Sequence, residues 1–111
     1  MSKRPIPEPM ERQSTIRQAI LEELRRGCAT SKDLSALVRI SEKEVAPHLE
    51  HLARSLRRGT ERLKVDPARC LACGYVFEDR TRYTRPSACP ACRSQRIEPP
   101  VFSVTGEQTE R

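Results

Sequence analysis

The sequence predicts an α+β chain, three helices followed by a small β unit held together by a metal. Three observations predict it. Apolar residues recur at helical spacing in successive stretches between Ile16 and Leu56. Beyond Gly59 the pattern changes to short alternating runs broken by proline. Within that second part stand two Cys-x-x-Cys pairs, Cys70 with Cys73 and Cys89 with Cys92, separated by residues 74–88.

The cysteines carry the strongest chemical signal. Two intervening residues let both sulfurs of a pair face one centre. Two such knuckles complete a tetrahedron of thiolates, the pattern of a structural Zn²⁺ site of the ribbon type. Cys70, Cys73, Cys89 and Cys92 are therefore the candidate metal ligands, for one zinc per chain. Gly74 follows the first pair, where a positive φ turns the chain under the metal. Pro90 stiffens the second turn. A redox centre needs only one pair, and disulfides need an oxidising compartment. Iron is the alternative metal: Cys-x-x-Cys-Gly-Tyr with Cys-Pro-x-Cys also resembles rubredoxin knuckles, and a thiolate tetrahedron suits either ion. A ribbon joined to a basic helical domain favours zinc.

Composition sets the limits. The chain has 111 residues, 36% hydrophobic, with two Phe, two Tyr and no Trp. A single large core is not expected, and small domains with thin cores borrow stability from metals. The net charge of +6 is unevenly placed. Residues 1–64 carry 14 Lys/Arg against 9 Asp/Glu, so +5; residues 65–111 carry 7 against 6, so +1. The N-terminal half is thus the candidate binder of a polyanion. No apolar run follows the basic N-terminal residues, and no stretch has the length of a membrane span. Reduced thiols and the lack of a leader lead us to expect a cytoplasmic protein with no membrane partner.

Each element follows in order. Pro5, Pro7 and Pro9 favour an extended arm over residues 1–9, with Lys3 and Arg4 in it. A helix is expected to start between Met10 and Thr15 and run to Arg26, with Ile16, Ala19, Ile20 and Leu24 inward and Gly27 as its stop. Cys28, the fifth cysteine, is expected to be a small buried hydrophobe outside the ligand set. Thr30 caps a short second helix with Asp33 in its first turn; Leu34, Leu37 and Val38 face inward, and Ile40 plugs the core.

Ser41 and Glu44 form a capping box for the third helix. Val45, Leu49, Leu52 and Leu56 make its inward stripe. Pro47 demands a kink, or a start nearer Glu44. The outward face is read as Lys43, His48, His51, Arg54, Ser55 and Arg58. Arg62–Asp66 alternates as a strand, in the place of a wing, yet no second wing strand precedes the metal site. Residues 75–78, 95–98 and 101–104 read as ribbon strands, and residues 79–86 as an arm bearing Arg80, Arg82 and Arg85. The last residues lack apolar content and read as a disordered tail. The expected division is a 1–9 arm, a 10–66 helical domain, a 67–104 ribbon and a 105–111 tail.

A short second helix, a tight turn and a longer third helix make a helix-turn-helix, so the full expectation is a three-helix, winged helix-turn-helix domain followed by a small β zinc ribbon. On that reading the third helix enters a major groove. Lys43 and His48 read bases, and Arg54, Arg58 and Arg62 grip phosphates, with His51 on the same face.

The arrangement resembles predicted transcriptional regulators with an ArsR-like helix-turn-helix fused to a C-terminal zinc ribbon. The resemblance rests on Ser41-Glu42-Lys43-Glu44-Val45, His48-Leu49-Glu50-His51-Leu52, Pro67-Ala68-Arg69-Cys70, Cys73-Gly74-Tyr75, Phe77 and Cys89-Pro90-x-Cys92, and spans about residues 12–104. It implies double-stranded DNA as partner and transcriptional control as role. A second copy of the chain and the transcription machinery are further candidate partners. The competing expectation is a protein–protein adaptor, a maturation or translation factor that does not touch DNA. No nucleophile–base pair, phosphate loop or paired-carboxylate site is visible, so no enzyme activity is expected.

Overall fold

The computed structural model of the chain describes residues 9–78 and 83–106. Expectations for Lys3, Arg4, Arg80, Arg82 and residues 107–111 lie outside them.

Helix α1 spans Pro9–Arg26. It begins at a proline, whose missing N–H costs nothing in a first turn, so the helix starts earlier than expected. Ile20 and Leu24 are fully buried, with Ile16 packed against the same core. The last turn carries Arg25 and Arg26, where cations offset the helix dipole. Arg25 also grips Glu61 with two hydrogen bonds, at 2.8 and 2.7 Å, tying this helix end to the segment that follows the third helix.

Helix α2, Ser31–Val38, opens with the expected reciprocal cap. Asp33 N–H donates to Thr30 Oγ1 at 3.2 Å, and Thr30 N–H donates to Asp33 Oδ2 at 3.0 Å. It closes on Arg39 at φ 61°, a left-handed cap whose N–H returns to the Ser35 carbonyl. Leu34 is buried as expected; Leu37 is 48% exposed. Leu34 and Val38, four residues apart, make the inward stripe, and Leu37 falls outside it.

Helix α3, Glu42–Leu56, opens with the Ser41–Glu44 box, both bonds at 3.2 Å. The box holds the start at Glu42, so Pro47 sits inside the helix rather than in its first turn. Pro47 and Lys43 are both on the exposed face, where water can replace the donor that proline lacks. Val45, Leu49 and Leu52 are buried against α1 and α2.

The sheet departs most from expectation. Strand β1, Arg62–Asp66, pairs antiparallel with the strand Val101–Thr105, from Arg62 opposite Thr105 to Asp66 opposite Val101. That partner, β4, is the fourth strand in chain order, after β2, Arg69–Cys70, and β3, Ile97–Glu98. Its other edge bonds Ala29, between α1 and α2. The second wing strand is therefore present, on the far side of the metal site, and residues 67–100 form the loop of the wing. Alternation places Leu63, Val65, Phe102 and Val104 on the helical side. Phe102 is fully buried among Ile20, Leu24, Leu34, Val45 and Leu49. Residues 101–104, expected in the ribbon, thus belong in space to the helical unit. The chain is a winged helix-turn-helix carrying a small ribbon.

The ribbon has a second, thin core of Ala68, Cys70, Cys89 and Ile97, with Phe77 against it. β2 pairs with β3, and Arg69 bridges Val76 on its other edge. The expected strand over 75–78 is reduced to that bridge, because the first knuckle bends the chain away within a few residues. The same cause trims 95–98 to two residues.

Candidate metal centre

Each knuckle is a tight turn built in the same way. Cys70 N–H donates to the Tyr75 carbonyl at 2.8 Å, and Cys89 N–H to the Ser94 carbonyl at 2.9 Å. Gly74 N–H returns to the Cys70 carbonyl, and Arg93 N–H to the Cys89 carbonyl. The residue after each second cysteine is left-handed, Gly74 at φ 85° and Arg93 at φ 66°. Sequence reasoning found Gly74 but missed Arg93, since only the repeat of the knuckle itself signals it. The turns aim backbone donors at sulfur: Ala72 N–H reaches Cys70 Sγ and Ala91 N–H reaches Cys89 Sγ, both at 3.3 Å. In each pair the first cysteine is buried and the second exposed.

The four sulfurs all lie within 4.8 Å of one another. Cys70 and Cys92 are 3.6 Å apart across the knuckles, as are Cys73 and Cys89. A tetrahedral ion with metal–sulfur bonds of about 2.3 Å needs sulfur–sulfur edges of about 3.8 Å. The donor set therefore fits zinc, with four protein ligands and no position left open.

The thiols show the same design. Burial pushes Cys70 up, but the N–H groups of Cys73 and Ala72 and the sulfurs of Cys92 and Cys73 outweigh it, bringing it down to about 6. Burial likewise opposes a net lowering at Cys89, where Cys92 and Ala91 N–H groups prevail. Cys73 is lowered by the Tyr75 N–H, yet the three other sulfurs and burial push it up to about 12. Cys92 also rises, the Ser94 N–H being outweighed by burial and the sulfurs of Cys70 and Cys89. Four thiolates crowd one another, so a dication in their midst replaces protons.

Residues 15–64 match a family model described as PF0610-like, N-terminal. Residues 67–106 match another, described as the PF0610 rubredoxin-like zinc beta-ribbon domain. The chain is thus similar to a PF0610-like N-terminal domain over one stretch and to a rubredoxin-like zinc ribbon over the next. It is similar over almost its whole length to the solution NMR structure of protein PF0610 from Pyrococcus furiosus, at 26% identity and a TM-score of 0.68, covering 95% of this chain and 98% of that one. No curated protein matches it. The cofactor is zinc, one per chain, held by Cys70, Cys73, Cys89 and Cys92. No helix among the described residues is long and apolar enough to cross a membrane.

Cys28 stands apart from the zinc ribbon and is exposed, not buried. The strand bridge at Ala29 fixes the backbone there and buries Ala29 instead.

The residues expected to meet DNA divide in the helical domain. Lys43, His51 and Arg54 are exposed on α3, and Arg58 is exposed just past its end. Arg54 pairs with Glu50 at 3.3 Å. His48 does not lie there: it is 6% exposed and its Nδ1 is 3.4 Å from Arg17 Nη1 on α1. A guanidinium only donates, so Nδ1 accepts and the ring is neutral. Burial first, then the charges of Arg17 and His51, hold His48 below its usual pKa. Arg62 is exposed but engaged. Its Nη1 donates to the carbonyls of Leu56, Gly59 and Glu61, at 3.2, 2.8 and 2.8 Å, closing the end of α3.

Proposed function

We propose that the protein binds duplex DNA and acts as a transcriptional regulator. The observation that carries this reading is the complete winged helix-turn-helix: Ala29, β4 and β1 form one sheet beside α1–α3, and α3 presents an exposed basic side. Arg57 joins Lys43, His51, Arg54 and Arg58 on that surface. The Arg54–Glu50 pair is exposed at both ends and weak, so a phosphate can displace it. Lys43 and His51 take the base-reading role first expected of Lys43 and His48, since a buried His48 cannot reach a groove. The zinc ribbon stands where other winged helices extend a hairpin, and its closed donor set serves structure, not catalysis.

A second reading, the protein–protein adaptor, draws on the ribbon surface. Leu71, Tyr75 and Val76 are 55%, 41% and 38% exposed. One experiment separates the two. The zinc-loaded protein is titrated with random-sequence duplex DNA at several salt concentrations, and bound fragments are selected and sequenced. The DNA reading expects binding that weakens with salt and a log–log slope that falls by about 0.9 for each phosphate contact removed. No duplex binding even at low salt sinks it and leaves the adaptor.

A further inference from the structure

Between its two knuckles the chain leaves the ribbon and touches the helical unit. The Tyr83 carbonyl accepts from Ser31 Oγ at 3.0 Å, at the first residue of α2. Its ring lies against Phe102, centroids 6.0 Å apart. Tyr83 and Thr84 form one wall of a groove of about 490 Å³ whose other wall is α3, through Ala46, Pro47, Ala53 and Arg57. Pro86 is buried on the way back to the second knuckle. Beyond that knuckle the chain passes through β3 into β4, whose Phe102 fills the helical core. Both segments that leave the cysteine cluster therefore end on the helical unit, one beside α3 and one beneath it.

Little else holds those segments at the ribbon end. Besides its two cysteines, the buried ribbon core among the described residues is Ala68 and Ile97. Such a core does not by itself offset the entropy of closing the segment between the knuckles. The ligand set is the cross-link that does.

We propose that metal occupancy of the ribbon regulates the α3 face: the loaded ribbon holds Tyr83–Pro86 against α2 and α3 and seats β4, and metal loss frees both. The consequence for DNA rests on the reading above; the coupling between ribbon and helices does not. A loaded ribbon fixes one wall of the groove that flanks the basic side of α3, so it presents that side in one geometry. A stripped ribbon leaves Ser31, Ala46 and Ala53 uncovered and Phe102 less firmly packed.

The test is amide hydrogen exchange on the full chain, zinc-loaded and then stripped with a chelator under a thiol reductant, with duplex titration in parallel. Stripping is expected to speed exchange at the Ala29 and Phe102 amides, and in the first turn of α2, by about tenfold or more, and added zinc to reverse it. Ser31→Ala, which removes the hydroxyl that donates to the Tyr83 carbonyl, should keep full zinc stoichiometry while the first turn of α2 exchanges equally fast with and without metal. If stripping exposes the Cys70 and Cys89 amides but leaves Ala29, Phe102 and α2 unchanged, the coupling is overturned. Exchange that responds to zinc in a protein that never binds duplex sinks the DNA reading and leaves the coupling standing.

Discussion

Phe102 trades both backbone hydrogen bonds with Ala29: its N–H donates to the Ala29 carbonyl at 2.8 Å, and its carbonyl accepts from the Ala29 N–H at 2.9 Å. This pair joins the link between the first two helices to the last strand of the chain. It makes β4 the central strand, flanked by Ala29 and β1, and forces everything between β1 and β4 to loop out as the ribbon. The helical unit is not finished until the ribbon has been traversed.

Phe102→Ala should therefore act on the helices. The side chain is fully buried against α1, α2 and α3, so its truncation should cost about 3–5 kcal/mol. Urea unfolding followed by far-ultraviolet dichroism measures this. A midpoint near that of the native protein would mean that β4 is an appendage and the core closes without it. Zinc stoichiometry of the folded variant should stay at one, since the ligands lie elsewhere.

What was legible in the sequence was local. The boxes Thr30–Asp33 and Ser41–Glu44 announce their helices within four residues, and Cys70, Cys73, Cys89 and Cys92 announce their metal. The β1–β4 pairing was not legible, because a strand pattern names no partner across residues 67–100. His48 could have been placed correctly. It stands at i+3 from Val45 and i+4 before Leu52, within the inward stripe, and its polarity alone argued it outward. Arg62 has an outward position in an exposed strand, and nothing nearby reveals that its guanidinium turns back onto carbonyls of α3. For Cys28 the general burial of free cysteine outweighed its place beside a helix-ending glycine.

The ligand set separates cleanly from the fifth cysteine. Replacing Cys70, Cys73, Cys89 or Cys92 with serine should abolish stoichiometric zinc and, through β4, lower the stability of the helices as well. Cys28→Ser should leave metal content at one zinc per chain. Elemental analysis reads both; metal loss in the Cys28 variant would show that the ligand set is wrong, and a red colour would identify iron instead.

Two arginines occupy left-handed backbone that favours glycine. Arg39 closes α2 at φ 61°, and Arg93 sits at φ 66° where the other knuckle has Gly74. Neither side chain makes an ion pair among the described residues. Arg39→Gly and Arg93→Gly should each stabilise by about 1 kcal/mol. The first should raise the thermal midpoint of the helical unit, and the second should slow zinc loss to a competing chelator. A fall in either would mean that the arginine side chain contributes more than its backbone costs.

His48 should give the fold an acid limit. Its pKa is held down by burial and by Arg17 and His51, against a smaller raising effect of Glu44. The unfolded chain then binds a proton more readily than the folded one. Stability from this site is full above the unfolded value of about 6.5 and is lost as pH falls through the lower folded value. Denaturation midpoints measured across that range, with zinc content checked at each point, should drop for the native protein and stay flatter for His48→Asn. Parallel curves would show that His48 stays neutral or is neutral in both states.

Arg58 and Arg62 look alike in sequence and should behave in opposite ways. Arg58 is exposed just past the end of α3, and among the described residues its side chain makes no ion pair or hydrogen bond, while its N–H donates to the Ser55 carbonyl. Arg62 donates to three carbonyls and completes the C-terminal cap of α3, replacing the left-handed cap that Arg57, at φ −63°, does not provide. Arg62→Ala should therefore lower stability by about 1 kcal/mol, since it returns those carbonyls to water and loosens the helix end. Its effect on the salt dependence of duplex binding should be small. Arg58→Ala should leave the unfolding midpoint unchanged and reduce the log–log salt slope by about 0.9, as one lost phosphate contact does. Paired unfolding curves and salt titrations of the two variants decide this. If Arg62→Ala lowers the slope without lowering stability, its carbonyl contacts give way to phosphate on binding, and it rejoins the DNA-contacting set.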